Sequence, residues 1–176
     1  RGNVYPSDFI HILEKSHLIN KVGLWVLEEA LLQCREWRKT LSDIRVSVNF
    51  SIVQLEEMDI VDKVLDIIDK TGVPGNALTI EITESIQLQE IKNFGEIFER
   101  FRAAGIEISI DDFGTGYSNM GYLKQLKVDE IKIDRLFISN IDEGTYNYKL
   151  IYNMIEFART NSIRICCEGV EDMHQL

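Results

Sequence analysis

Apolar residues recur at helical spacing through "DFIHILEKSHLI" and "KVGLWVLEEALLQCREWRK", and the period then drops to two in "RVSVNFS" (45–51). The two regimes alternate to the end of the chain. Helical patterns run through "IVDKVLDIIDKTG", "EIKNFGEIFERFRAAG", a short piece around "GYLKQL", and "YNYKLIYNMIEFARTN", with Gly72 and Gly105 placed to end two of them. Strand patterns occupy 77–83, 106–113, 129–135 and 163–170, and the final "EDMHQL" reads as a helix that has only begun. Strands separated by helices pair in parallel through right-handed crossovers, which predicts an α/β fold. No Pro/Gly/Ser-rich linker or low-complexity run interrupts the 176 residues, so no internal domain boundary is expected.

Parallel strands covered by helices ordinarily read apolar on both faces. Here one face is polar on four of them. Side chains alternate along a strand, so Ser47/Asn49/Ser51, Thr79/Glu81/Thr83, Ser109/Asp111 and Glu130/Lys132/Asp134 each share a face, against Val46/Val48/Phe50, Leu78/Ile80/Ile82, Ile108/Ile110/Asp112 and Ile131/Ile133. Alternation alone leaves Asp112 on the wrong side. It is expected to turn inward where the chain leaves the ladder, on tight backbone supplied by Gly114 and Gly116. Polar residues close every strand: Asn49, Glu81, Asp111 with Asp112, Lys132 with Asp134, and Glu168 with Glu171. Their spacing fits the ~31 residues per unit of a (β/α)₈ barrel, whose active site lies at the C-terminal ends of the strands. A single aspartate at a strand end ordinarily caps the next helix, and a single strand lysine ordinarily faces solvent. Recurrence at five strand ends argues for a site.

Charge narrows the chemistry. With 29 acidic and 19 basic residues, a net −10, the chain lacks the basic surface that a nucleic-acid polymer requires. No apolar run approaches the ~20 residues that span a bilayer, so no membrane contact by this segment is expected. Cys34, Cys166 and Cys167 show no metal-ligand spacing and read as reduced core or near-core thiols of a cytoplasmic domain. Dense carboxylates at one mouth stay ionised only beside cations, and hard oxygen donors suit Mg²⁺ or Mn²⁺. Adjacent aspartates can serve two ions a few ångströms apart, the arrangement that hydrolyses phosphodiesters. Lys132 could orient the nucleophile or neutralise developing charge.

The strings "SVNFS", "IEITES", "IDDFGTGYSNMGYL", "EIKIDRLFI" and "CEGVED", in this order, resemble the EAL domain, the cyclic di-GMP phosphodiesterase family, over essentially the whole chain. The resemblance implies a TIM-type (β/α)₈ barrel. It implies Asn49, Glu81, Asp111, Asp112 and Glu168 as metal ligands for two Mg²⁺ or Mn²⁺ ions, and Lys132 as the catalytic lysine near the attacking water. By the same resemblance Glu171 would belong to the same mouth, and Glu84 would hold the loop after the aspartate pair, Gly114, Thr115, Gly116, Tyr117 and Ser118 onward, which in the family links the site to a dimer contact. The implied reaction cleaves one phosphodiester of cyclic di-GMP to give linear pGpG in bacterial signalling. A homodimer and an upstream sensory or GGDEF-type domain are the implied partners, in a parent protein that could be membrane-anchored.

Two departures are small: Asn119 replaces a second serine in the loop, and Cys166-Cys167 replace small apolar residues. The Glu-Ala-Leu strand that names the family is expected just upstream of Arg1, and the closing strand after Leu176. The chain is therefore expected to hold about five of eight strands and, by itself, to be inactive. The alternative to an enzyme is a catalytically inactive receptor or signalling module for cyclic di-GMP. Loss of several acidic ligands would mark that alternative, and none of those within the chain is lost.

Overall fold

The computed structural model of the chain describes residues 2–84, 93–114, 127–139, 141–173 and 175. Five parallel strands lie in sequence order in one sheet: β1 (Val46–Asn49), β2 (Leu78–Thr83), β3 (Glu107–Phe113), β4 (Glu130–Ile133) and β5 (Arg164–Cys167). β1 and β5 are the edges, each paired on one side. Among the described residues the helices are α1 (Pro6–Lys15), α2 (Leu18–Arg38), α3 (Ile52–Leu55), α4 (Ile60–Thr71), α5 (Phe94–Ala103), α6 (Arg135–Ile138) and α7 (Tyr146–Thr160), with a 3₁₀ turn at Gly75–Ala77.

One hydrophobic core forms where the apolar strand face meets the helices. Val48, Ile80, Ile82, Ile108, Ile110, Ile131 and Ile133 are buried together with Leu27 and Leu31 of α2, Val64 and Ile67 of α4, Phe98 and Phe101 of α5, and Ile151 and Met154 of α7. Helix ends are set locally. Gly72 stops α4 in the left-handed conformation, at φ 68°. The side chains of Ser51, Asp134 and Thr145 cap α3, α6 and α7 by accepting from backbone N–H groups in the first turn.

The strands fall where the alternation predicts them, trimmed by one to three residues at their ends. The first helical pattern breaks earlier than its periodicity indicates. Ser16 Oγ donates to the carbonyls of Ile12 and Leu13, and His17 sits at φ 54°, so the chain turns there and restarts as α2. The helix expected at "EDMHQL" is absent among the described residues: the Glu171 and Asp172 N–H groups donate to Gln175 Oε1, which closes a side-chain turn instead. The helix expected around "GYLKQL" lies outside the described residues.

At the N-terminal end of the sheet's polar face, Glu107 is clasped by Arg45 at 2.5 Å and by Arg164, which also reaches Glu130 at 3.4 Å. Burial pushes the Glu107 carboxyl up, but the two guanidinium groups outweigh it and hold the group below the usual carboxylate range. A carboxyl depressed on folding contributes stability at pH values above its unfolded pKa and loses it as pH falls through the folded pKa. Glu107→Gln is expected to lower stability at neutral pH by about 1 kcal/mol, given the exposure of Arg164, and to flatten the acid limb. Denaturant titrations of both proteins between pH 7 and pH 3 check this. Equal slopes would remove Glu107 from the acid response.

Candidate metal centre

Register brings the polar residues together. Asn49 pairs with Glu81, Glu81 with Ser109, and Ser109 with Glu130, so one row crosses four strands. The next step up the sheet departs from simple alternation. Ile110 pairs with Ile131 and Phe113 with Ile133, which leaves Asp111 and Asp112 together opposite Lys132. This is a β-bulge, two residues against one. Asp112 takes φ 54°, a left-handed conformation that aspartate tolerates better than most residues. The bulge, within the ladder, brings Asp112 to the face of Asp111, and the strand resumes its alternation with Phe113 buried on the core side. The expectation that Asp112 turns in only after the ladder ends is corrected accordingly.

Lys132 stands at the centre of the cluster. Its Nζ lies 2.8 Å from Glu168, 3.0 Å from Asp111 and 3.3 Å from Glu81, on three different strands or strand ends. The lysine side chain is only 15 % exposed. Burial alone would lower its pKa, but Glu168, Asp111 and Glu81 together outweigh that and raise it above the ordinary lysine value, so it is a permanent cation here. Asp112 is pushed the other way: burial first, then the charges of Asp111 and Asp134 and a hydrogen bond with Asp134, raise its carboxyl pKa. Asp134 faces the cluster while it caps α6 by accepting from the Leu136 N–H at 2.7 Å. The capping role and the mouth position are compatible.

Three carboxylates, from Asp111, Asp112 and Glu168, place one oxygen each within 4.8 Å of one another. An all-oxygen donor set of this kind fits Mg²⁺ or Mn²⁺. Glu81, buried at 8 % exposure, joins it through Lys132. Asn49 is aligned with Glu81 but lies exposed on edge strand β1. Glu171 is exposed among the described residues, and the metal-type group does not include it. Glu84 accepts from the Gly114 N–H at 2.8 Å, where the chain enters the Gly-rich segment. Thr115, Gly116, Tyr117 and Ser118 lie outside the described residues.

The cysteines differ from one another. Cys34 is buried, Cys167 is packed against the core, and Cys166, paired in register with Lys132, is exposed. Cys166 thus corrects the expectation of three core or near-core thiols, because the strand's alternation turns it to the polar face. Burial and the nearby carboxylates of Glu130 and Glu168 raise its pKa, so it is no activated thiolate. Two residues beside the site were on the predicted face but unassigned: Ser109, fully buried, and Glu130, to which the Ser109 Oγ donates at 3.2 Å. Their pairing needed the register, which a single strand's pattern does not contain.

A family model for the EAL domain matches residues 1–176. The chain belongs to the EAL domain family. This EAL chain is 36 % identical over 171 residues to MucR of Pseudomonas aeruginosa, a bifunctional diguanylate cyclase/cyclic di-GMP phosphodiesterase, covering 97 % of the chain and 25 % of MucR. It is 30 % identical over 171 residues to the cyclic di-GMP phosphodiesterase PdeR of Escherichia coli, covering 97 % of the chain and 26 % of PdeR. The EAL chain spans about a quarter of the length of these curated relatives. The solved PaMucR phosphodiesterase in complex with c-di-GMP superposes with a TM-score of 0.87 at 37 % identity, covering 98 % of this chain and 75 % of that one. The fold is the TIM-type barrel of EAL domains, of which the five parallel strands form a segment. No described helix is long and apolar enough to cross a membrane.

Proposed function

We propose that this EAL domain hydrolyses cyclic di-GMP to linear pGpG, with Glu81, Asp111, Asp112 and Glu168, joined by Asn49, holding Mg²⁺ or Mn²⁺. The observation that carries the reading is the convergence of Glu81, Asp111 and Glu168 on one half-buried lysine beside Asp112, at the C-terminal ends of parallel strands. When bound, divalent ions supply charge neutralisation at the phosphate and acidify water.

The chain's own residues supply the rest. A water oxygen bonds to phosphorus as one P–O ester bond breaks, and the proton ends on the leaving ribose oxygen. Lys132, kept protonated by its three carboxylates, has N–H bonds to direct at the attacking water and at the phosphate oxygen where negative charge grows. Glu84 fixes the entry to the segment of Thr115, Gly116, Tyr117 and Ser118 through Gly114, so that segment is assigned to substrate contact. Glu171 is assigned to the rim of the mouth as the second acid of "EGVE". A homodimer and a cytoplasmic setting complete the reading, together with an upstream sensory or GGDEF-type domain, for which relatives about four times as long leave room.

The test is turnover of cyclic di-GMP by the full-length protein with Mn²⁺ or Mg²⁺, followed by pGpG formation. Hydrolysis that EDTA abolishes and Mn²⁺ restores is the expected result. Tight binding of cyclic di-GMP with no pGpG formed would overturn the enzymatic reading in favour of a receptor.

A further inference from the structure

The one-turn helix α6 touches both segments that carry the acidic group. On one side, a Cβ built at Gly114 would lie 2.7 Å from Phe137 Cε2 and 2.9 Å from its Cζ, so the phenyl ring occupies the space beside a glycine held at φ 100°. On the other, a Cβ built at Gly169, at φ 73°, would lie 2.5 Å from Arg135 Cβ. Gly114 follows Asp112 by two residues, and Gly169 follows Glu168 directly. The first residue of the turn is preceded by its cap, Asp134, which is hydrogen-bonded to Asp112. The turn itself is anchored from below by Ile138, 1 % exposed.

We infer that Phe137 is a positioning residue for the acidic centre: its ring, braced by the core, presses on Gly114 and fixes the backbone from which Asp112 projects. The inference rests on the reading of that centre as a metal site. Gly114 leaves the bulge in a left-handed conformation, its N–H committed to Glu84. Such backbone keeps its geometry only where its surroundings over-determine it. Phe137 is partly buried and belongs to the packed core margin, whereas its neighbour Leu136 is 64 % exposed. The ring is thus the rigid wall of a cradle that no side chain larger than glycine's could enter. Loss of a group that orients metal ligands commonly weakens metal affinity by about 10–100-fold without touching the ion.

The experiment measures Mn²⁺ affinity of the full chain by the loss of the free-ion electron paramagnetic resonance signal, together with hydrogen exchange at the Gly114 amide. Phe137→Ala is expected to weaken Mn²⁺ binding about tenfold and to speed exchange at Gly114, with Ile110 in the preceding ladder unchanged. Phe137→Leu, which keeps an apolar wall, is expected to restore most of both. Leu136→Ala on the same turn is expected to change neither. Should Phe137→Ala fail to fold, Phe137→Leu is read against Leu136→Ala at once, and a graded loss in the first alone supports the inference. Unchanged Mn²⁺ affinity in the folded Phe137 variants would overturn it, as would an equal loss in Leu136→Ala. Asp112→Asn separates the two levels: if it leaves Mn²⁺ binding intact, the metal reading itself falls.

Discussion

Lys132→Met is expected to cut turnover of cyclic di-GMP by about 10²–10⁴-fold while leaving Mn²⁺ bound at least as tightly as before. The two effects separate because the lysine has two roles toward the same carboxylates. Its ammonium lies within 3.3 Å of Glu81, Asp111 and Glu168, so it competes with any divalent cation for their negative charge. Removing it frees those oxygens for metal, and simultaneously removes the protonated donor that the proposed mechanism directs at the attacking water. A third consequence follows in the metal-free protein. Glu81 and Asp111 are 10 % and 15 % exposed at their side chains, and without Lys132 they face one another uncompensated. Breaking a buried pair by removing one partner costs roughly 3–5 kcal/mol, and the half-open position of Glu168 places this case toward the lower figure. Melting in EDTA should therefore drop markedly, and added Mn²⁺ should restore it by mass action. Three measurements check the assignment: turnover, Mn²⁺ titration, and thermal melting with and without metal. Undiminished turnover would remove Lys132 from the chemistry. Weakened Mn²⁺ binding would recast it as a residue that organises the ligands.

Much of this is legible in the sequence. The period-two patterns name the five strands, and their polar phase names the face, because burial on both sides of a parallel sheet makes every polar residue there conspicuous. Ser47, Thr79, Ser109 and Glu130 share that face as alternation requires, and their register is continuous from Asn49 to Glu130. What strand patterns do not encode is the place where the period fails. Asp112 reads as a core-side residue, and only pairing shows that two aspartates oppose one lysine. Local sequence gives a weak hint, since aspartate tolerates positive φ, but it gives the same hint in any turn. Asp134 illustrates the opposite difficulty. Its position after a strand is equally good for a helix cap and for a site, and the structure shows the carboxylate meeting both demands, accepting from Leu136 and contacting Asp112. The short helix α6 has too few residues for any periodicity to announce it, so Phe137 was invisible as a neighbour of Gly114.

Asp112→Asn is expected to act in the reverse sense to Lys132→Met in every readout except turnover. Asp112 is half-buried beside Asp111 and Asp134, and its ionised form is disfavoured there by burial first and by those charges next. In the metal-free protein at neutral pH that charge opposes folding. Asparagine removes it with little change of shape, and its amide can donate to Asp134 where the acid needs a proton to do so. The melting temperature in EDTA should rise. Mn²⁺ affinity should fall by at least about 100-fold, more than the loss of an orienting neighbour produces, because a donor oxygen of the three-carboxylate group changes from charged to neutral. Turnover should fall with it and recover only in part at high Mn²⁺. A merely structural aspartate would show none of this reversal, since its replacement would lower stability and leave metal affinity alone. Paired melting curves, with EDTA and with saturating Mn²⁺, decide the matter in one experiment: the variant's curve lies above the wild type's in the first and below it in the second. The crossing arises because carboxylates packed densely enough to bind a divalent ion repel one another until it arrives, so the centre's affinity and its cost to the empty fold have the same origin in the bulge at Asp111 and Asp112.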